Sequence, residues 1–198
     1  MKNFFILFKS IVITLVFCFS HSVLSAEPSK PIVSKSNSAE IEKGVPISGK
    51  GYIVFHSPDK TLTATVSALN ENNESRLVIR NSSNKVLLTK NFSSKDTNHG
   101  SAIMRAAWSP DSKFFYFTME SSGGHQPWKV SSEFYSRAIN QLFDLDEYLQ
   151  PMGSINFSIQ APDIVTAFMW TKNLNGAYEN ILPITFHISD IKPHATAP

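Results

Sequence analysis

The sequence predicts an all-β protein assembled from three copies of one four-stranded antiparallel unit, behind a targeting segment. Three observations carry this reading. A Pro-Asp dipeptide occurs three times, at Pro58-Asp59, Pro110-Asp111 and Pro162-Asp163, spaced 52 residues apart each time. Both flanks of each copy are rich in β-branched and aromatic residues, the composition of strands. Nothing after residue 26 carries a full amphipathic helical stripe.

The elements follow from those corners. The strand before each Pro-Asp is expected at 51–56, 102–108 and 155–160, and the strand after it at 62–68, 113–120 and 164–171. A third strand is expected at 76–81, 128–135 and 181–189, and a fourth in the first two copies only, at 85–90 and 139–145. The best helical candidate is 136–149, where Ile139, Leu142, Phe143, Leu145 and Leu149 partly fit one face. The repeat assigns its first half to a strand and leaves a short helical turn at 144–149, stopped by Pro151. Proline at the second position of a turn has its φ already set, and Ser or Asp beside it bonds nearby amides, so each corner reads as a hairpin.

The middle corner, Trp108-Ser109-Pro110-Asp111-Ser112-Lys113, resembles the turn of TolB-type and WD-repeat-like β-propeller blades. In those blades Trp-Ser-Pro-Asp-Gly-Lys precedes an alternating apolar strand. The first copy keeps Ser57-Pro58-Asp59 but has His56 for the Trp and Lys60 for the Gly, and the third keeps only Pro162-Asp163. The resemblance implies three four-stranded propeller-like blades over 51–191. It carries little about function, because such blades serve enzymes, scaffolds and transport components alike. Closed propellers use four to eight blades, and the third copy shows no fourth strand. Three completions are open: an open stack of three sheets, a strand donated by the N-terminal region, or pairing of two chains into a six-bladed homodimer.

Residues 1–26 read as a signal peptide. Lys2 and Lys9 give a positive start, 11–19 an apolar core, and Val23-Leu24-Ser25-Ala26 a small-residue cleavage site. Its loss leaves no membrane span and directs the protein to the periplasm or the medium. The single cysteine, Cys18, leaves with it, so the mature chain has no disulfide, no cysteine-held zinc and no thiol nucleophile. Removing Lys2 and Lys9 from the 18 basic residues leaves 16, against 16 acidic ones. Near-zero charge argues against a nucleic-acid groove, which needs clustered Lys and Arg. The Ser-, Lys- and Pro-rich stretch 27–50 is expected to be a flexible linker, and 192–198 a loose tail.

The least ordinary segment is Glu120-Ser121-Ser122-Gly123-Gly124-His125-Gln126-Pro127-Trp128. Its glycines admit backbone angles closed to other residues and Pro127 stiffens the exit. A recognition or catalytic tip is one reading, with Trp128 stacking on a ligand, His125 handling a proton, Glu120 as a carboxylate, and Tyr135 and Arg137 assisting. The plainer reading is a hairpin turn whose Trp covers a sheet edge, and it is preferred because most loops carry no function. His56 and His187 are expected to be packing residues, and His99 part of a solvated turn with Asp96. No His spacing suits a metal, and no nucleophile elbow or phosphate loop is present, so neither metal nor cofactor is expected. Asp59, Asp111 and Asp163 recur at like positions, which suggests backbone capping over catalysis. The chain is therefore expected to be a non-enzymatic module binding a protein or cell-envelope component. A secreted hydrolase, or a glycan or small-ligand binder using the 120–128 loop, is the alternative.

Overall fold

The computed structural model describes residues 42–43, 45–46, 51–124, 129–146, 148–149 and 151–191. The signal segment, most of the 27–50 stretch, the tail, and His125 and Trp128 lie outside the described residues. The fold is all-β and every strand pairing is antiparallel. The first sheet is β3 (Tyr52–His56), β4 (Leu62–Ala68), β5 (Ser75–Asn81) and β6 (Val86–Asn91) in simple succession. The middle sheet is β7 (Ser101–Trp108), β8 (Phe114–Ser121), β9 (Ser131–Ser136) and β10 (Gln141–Asp144). The third is β11 (Met152–Gln160), β12 (Ile164–Lys172) and β13 (Tyr178–His187), followed by a 3-10 turn at Ile188–Asp190. None of the sheets closes into a barrel.

Two short strands from the stretch expected to be a flexible linker join these sheets. β1 (Glu42–Lys43) pairs with β11, and β2 (Val45–Pro46) with β7. The third sheet thus gains a fourth strand from the N-terminal region, one of the three completions anticipated, but on its β11 side. Composition misjudged these residues because edge pairing uses backbone N–H and C=O groups, which every non-proline residue carries. Among the described residues no strand pairs with the outer edge of β13. In the third copy the chain instead turns inward, and Ile188 is buried in the core beside Asp163.

Two cores hold the three sheets together, both built on β8. Along a strand successive side chains point to opposite faces. Phe115 and Phe117 therefore meet Phe55, Leu62, Leu77 and Ile79 of the first sheet, with Trp108 and Tyr135. Tyr116 turns the other way, onto Phe157 at a 4.7 Å ring separation, with Ile159, Val165 and Ala167 of the third sheet. Trp108 donates its indole N–H to the Phe55 carbonyl at 3.1 Å, so the largest apolar group of the core also satisfies its polar atom. Burying each such large side chain contributes about 1.5–3 kcal/mol.

The first two corners are the same structure. His56 pairs with Thr63 and Trp108 with Phe115, each closing a six-residue turn. Ser57 and Ser109 donate to Asp59 and Asp111 at 2.6 Å, while their hydroxyls accept from the amides of Leu62 and Phe114. Lys60 and Ser112 adopt φ of 59° and 63°, the left-handed region that Gly enters at no steric cost. The third corner departs from the expectation. Gln160 pairs with Ile164 across only Ala161, Pro162 and Asp163, and with Ala161 in place of Ser the aspartate caps a different segment. The three corners remain strung together, since the Asp59 amide donates to Ser112 Oγ at 3.0 Å and the Asp111 amide to the Pro162 carbonyl at 3.3 Å. His56, expected to pack in the Trp position, is instead exposed. Among the described residues no sheet lies over the outer face of the first sheet.

Glu133 sits on β9 opposite Phe117 and Asp144, on the Tyr135 side of the sheet. Burial pushes its carboxyl up to about 7, against the pull of Lys90 and with help from Asp144 and Asp146. A raised carboxyl favours the folded state at low pH, and that advantage is lost as pH rises through about 7. Glu133→Gln is expected to leave urea stability unchanged near pH 4.5 and to raise it at pH 8 by on the order of 2 kcal/mol. Equal stabilisation at both pH values would show that ionisation of Glu133 is not the cause.

Candidate functional site

The strands bring the corners to one end of the sheets and the segments 69–74, 92–100, 122–124 and 129–130 to the other. The loop end is organised by one carboxylate. Glu74 is completely buried, and it accepts hydrogen bonds from Asn70 Nδ2 and Ser94 Oγ at 2.7 Å, the Gly100 amide at 2.8 Å, Ser122 Oγ at 3.0 Å and the Ser94 amide at 3.2 Å. Burial pushes its pKa up, but these donors outweigh it and hold the carboxyl below its ordinary value. One side chain thus ties three loops from two sheets. Gly100 is required there, since a Cβ would lie 2.5 Å from Glu74 Oε1 and 2.4 Å from the Phe92 carbonyl.

Glu120, the last residue but one of β8, stands on this platform opposite Ala102 and is half-buried. It borders two small clefts. One, of about 210 Å³, runs along Asn72, Ser75 and Met104, and the other, of about 230 Å³, along His99, Lys129 and Ser131. His99 makes a close Nδ1 contact with the Asp96 carboxylate, whose pKa is held well below its usual range by the Ser94 hydroxyl, the Asn98 amide and His99. Lys129 pairs with Asp146 at 2.9 Å, and Ser131 Oγ donates to the same carboxylate at 2.9 Å. The second cleft therefore presents an imidazole, a carboxylate and an ammonium together. That set suits hydrogen bonding to a mixed-charge or amide-bearing surface. Among the described residues no group of three or more His, Cys, Asp or Glu is placed to hold a metal, and no helix is long and apolar enough to cross a membrane.

Of the residues singled out from sequence, Glu120 stands at the loop end, while Tyr135 and Arg137 stand at the corner end. Tyr135 faces Phe115 across β8, so about 17 Å of strand separates it from Glu120. Its side chain is buried, its ring meets Trp108 edge-on, and its hydroxyl donates to Asn140 at 2.8 Å. Arg137 clamps Asp59 of the first corner. These two join sheets and do not join Glu120. His99, Asp96 and Lys129 were not assigned to the site from sequence. The Asp-x-x-His spacing at 96–99 was the available signal.

His187 was also read as packing, and it is half-exposed. Its Nδ1 lies 2.9 Å from Asp163, which is itself buried and accepts from the Ser189 amide at 2.8 Å. The bond to Asp163 raises the His187 pKa, and the ring borders a groove of about 620 Å³ with Tyr148, Phe186 and Asp190.

Glu74→Gln puts an amide donor among groups that are themselves donors. It is expected to cost about 2–3 kcal/mol in unfolding by urea, and to speed hydrogen exchange at the Ser94 and Gly100 amides ahead of the strands. Exchange rising uniformly across the molecule would mean that Glu74 does not act on these loops in particular. No protein-family model matches the chain, and no curated protein is significantly similar to it.

Proposed function

We propose that this is an exported protein of the periplasm or medium, built of propeller-like blades, that works by binding a protein or another envelope component at its loop end. The single observation that carries this reading is the Glu74 platform. A buried carboxylate satisfied by five donors preorganises loops that would otherwise lose entropy on binding, and preorganisation is what lets a polar surface hold a partner. The clefts beside Glu120 are small against the roughly 300–1,000 Å³ of pockets that enclose small molecules. Their mixed charges favour a surface-to-surface contact, and the signal-like residues 1–26 favour export. Capture from an envelope extract tests the reading. The wild-type chain is expected to retain a partner that a Glu120→Ala, Lys129→Ala variant loses, as does a His125→Ala, Trp128→Ala variant. Recovery of the chain outside the cytoplasm, beginning at Glu27, is the accompanying expectation for export. Unchanged capture by both variants would move the binding surface elsewhere.

A second reading, a small hydrolase, is favoured by the shared cleft of His99 and Glu120, since a carboxylate-oriented imidazole is a competent proton carrier. It requires hydrolysis of ester or glycoside probes by the wild type that His99→Ala abolishes without a change in melting temperature. Absence of turnover by the wild type removes it.

A further inference from the structure

We propose that the core-side face of β13 binds a single-chain amphiphile with an anionic head, a fatty-acid carboxylate, its head at Lys172 and its chain along Leu182, Ile184 and Phe186. The third sheet carries its apolar face further out than its neighbour covers. Register sets Leu182 opposite Met169 and Ile184 opposite Ala167, and both of those partners are buried. Cross-strand partners share a face, so Leu182 and Ile184 belong to the core side. They are nevertheless 53% and 40% exposed. The outermost strand of the middle sheet, β10, is four residues long against ten in β13, which leaves these two side chains uncovered among the described residues.

The uncovered face forms two grooves that follow one another along β13. One, of about 390 Å³, is bordered by Met169, Lys172, Leu182 and Ile184, and the next, of about 620 Å³, by Tyr148, Leu149 and Phe186. Phe168 and Ile181 point to the opposite face of the sheet and border neither. Both volumes fall within the roughly 300–1,000 Å³ of sites that enclose small molecules, unlike the clefts beside Glu120.

The walls select the occupant. From Leu182 to Phe186 the side chains on this face are hydrocarbon, over about 13 Å of strand. A polypeptide strand suits this edge poorly. The Ile188 amide donates to the Asp163 carbonyl, so those two residues form a hydrogen-bonded pair, and by alternation Phe168 and Pro183 do not. The nitrogen of Pro183 therefore faces the outer edge, where it offers no donor. A hydrocarbon chain asks for none.

Charge places the head. Among the described residues Lys172 is the charged side chain on the first groove. Its ammonium lies over the Tyr178 ring, 5.2 Å from the centroid, and no described carboxylate pairs with it. At the far end of the second groove His187 faces two carboxylates, Asp163 at 2.9 Å and Asp190, so no surplus of positive charge stands there. A carboxylate head therefore belongs at Lys172, whose flexible stem follows the head while its methylenes stay on the apolar wall.

The inference goes beyond the interaction reading and does not rest on it. Calorimetry of the purified protein with laurate, below the concentration at which laurate forms micelles, is expected to show one saturable site. Shortening the chain is expected to weaken binding roughly fourfold per methylene removed. Dodecanol, which has the chain without the charge, is expected to bind about 2–5-fold more weakly than laurate, and dodecyltrimethylammonium more weakly still. Lys172→Met is expected to erase the difference between laurate and dodecanol. Leu182→Asp and Ile184→Asp are expected to abolish binding of both, with unaltered circular dichroism certifying the fold. Phe168→Asp, on the opposite face, is expected to bind laurate as the wild type does. Absence of saturable binding overturns the proposal, and so does equal binding of laurate, dodecanol and the ammonium. Loss in Phe168→Asp with retention in Ile184→Asp overturns it too, since the chain would then lie on the other face. A wild type that binds laurate only after residues 192–198 are removed has its own tail as the occupant, and one that binds anionic vesicles but not monomeric laurate has a bilayer; either result sinks the assignment.

Discussion

Everything in this molecule depends on β8 being apolar on both faces. Phe114, Phe115, Tyr116 and Phe117 follow one another on a strand, and alternation sends them to two different cores. A strand with one polar face would support one neighbouring sheet and leave the other without a surface to bury. Among the described residues the middle sheet is the one that lies between two others. The order of sheets in space follows their order in the chain because connections between them are short.

Much of this was legible in the residues, and the reasons are local. The Ser-Pro-Asp corners at 57 and 109 announce a turn through fixed φ and side-chain capping, both properties of a few adjacent residues. The aromatic run of β8 announces a doubly buried strand through composition alone. The third corner misled because Pro162-Asp163 repeats the letters without the serine. Ala161 cannot donate, and Asp163 turned to His187 and Ser189, which are distant in sequence. The pairing of Glu42–Lys43 and Val45–Pro46 was illegible for a related reason, since backbone pairing leaves no mark in side-chain pattern. His56 was read as a packing residue by analogy with Trp108. The analogy fails because Trp108 has a sheet to pack on and His56 does not.

The candidate site was less legible than the fold. Glu120 could be placed at a loop end from strand positions. The residue that builds the platform, Glu74, looks in the sequence like any surface glutamate between Asn73 and Ser75. Its burial arises only when loops 20 and more residues away close over it, as with Ser94, Gly100 and Ser122. Tyr135 and Arg137 are close to Glu120 in sequence and remote in space, because β9 carries them the length of the sheet.

The pairing of β1 and β2 bears on how the chain acquires its shape. Glu42 is made early and finds Ile159 only when the third sheet exists, and Val45 must wait for Ala106. Contacts between such distant points close slowly, because the intervening chain loses its freedom before the pairing rewards it. A pairing that spans so much chain closes more slowly than the hairpins within each sheet. Without these two pairings the backbone groups of β7 and β11 that face β2 and β1 would form two unpaired strand edges.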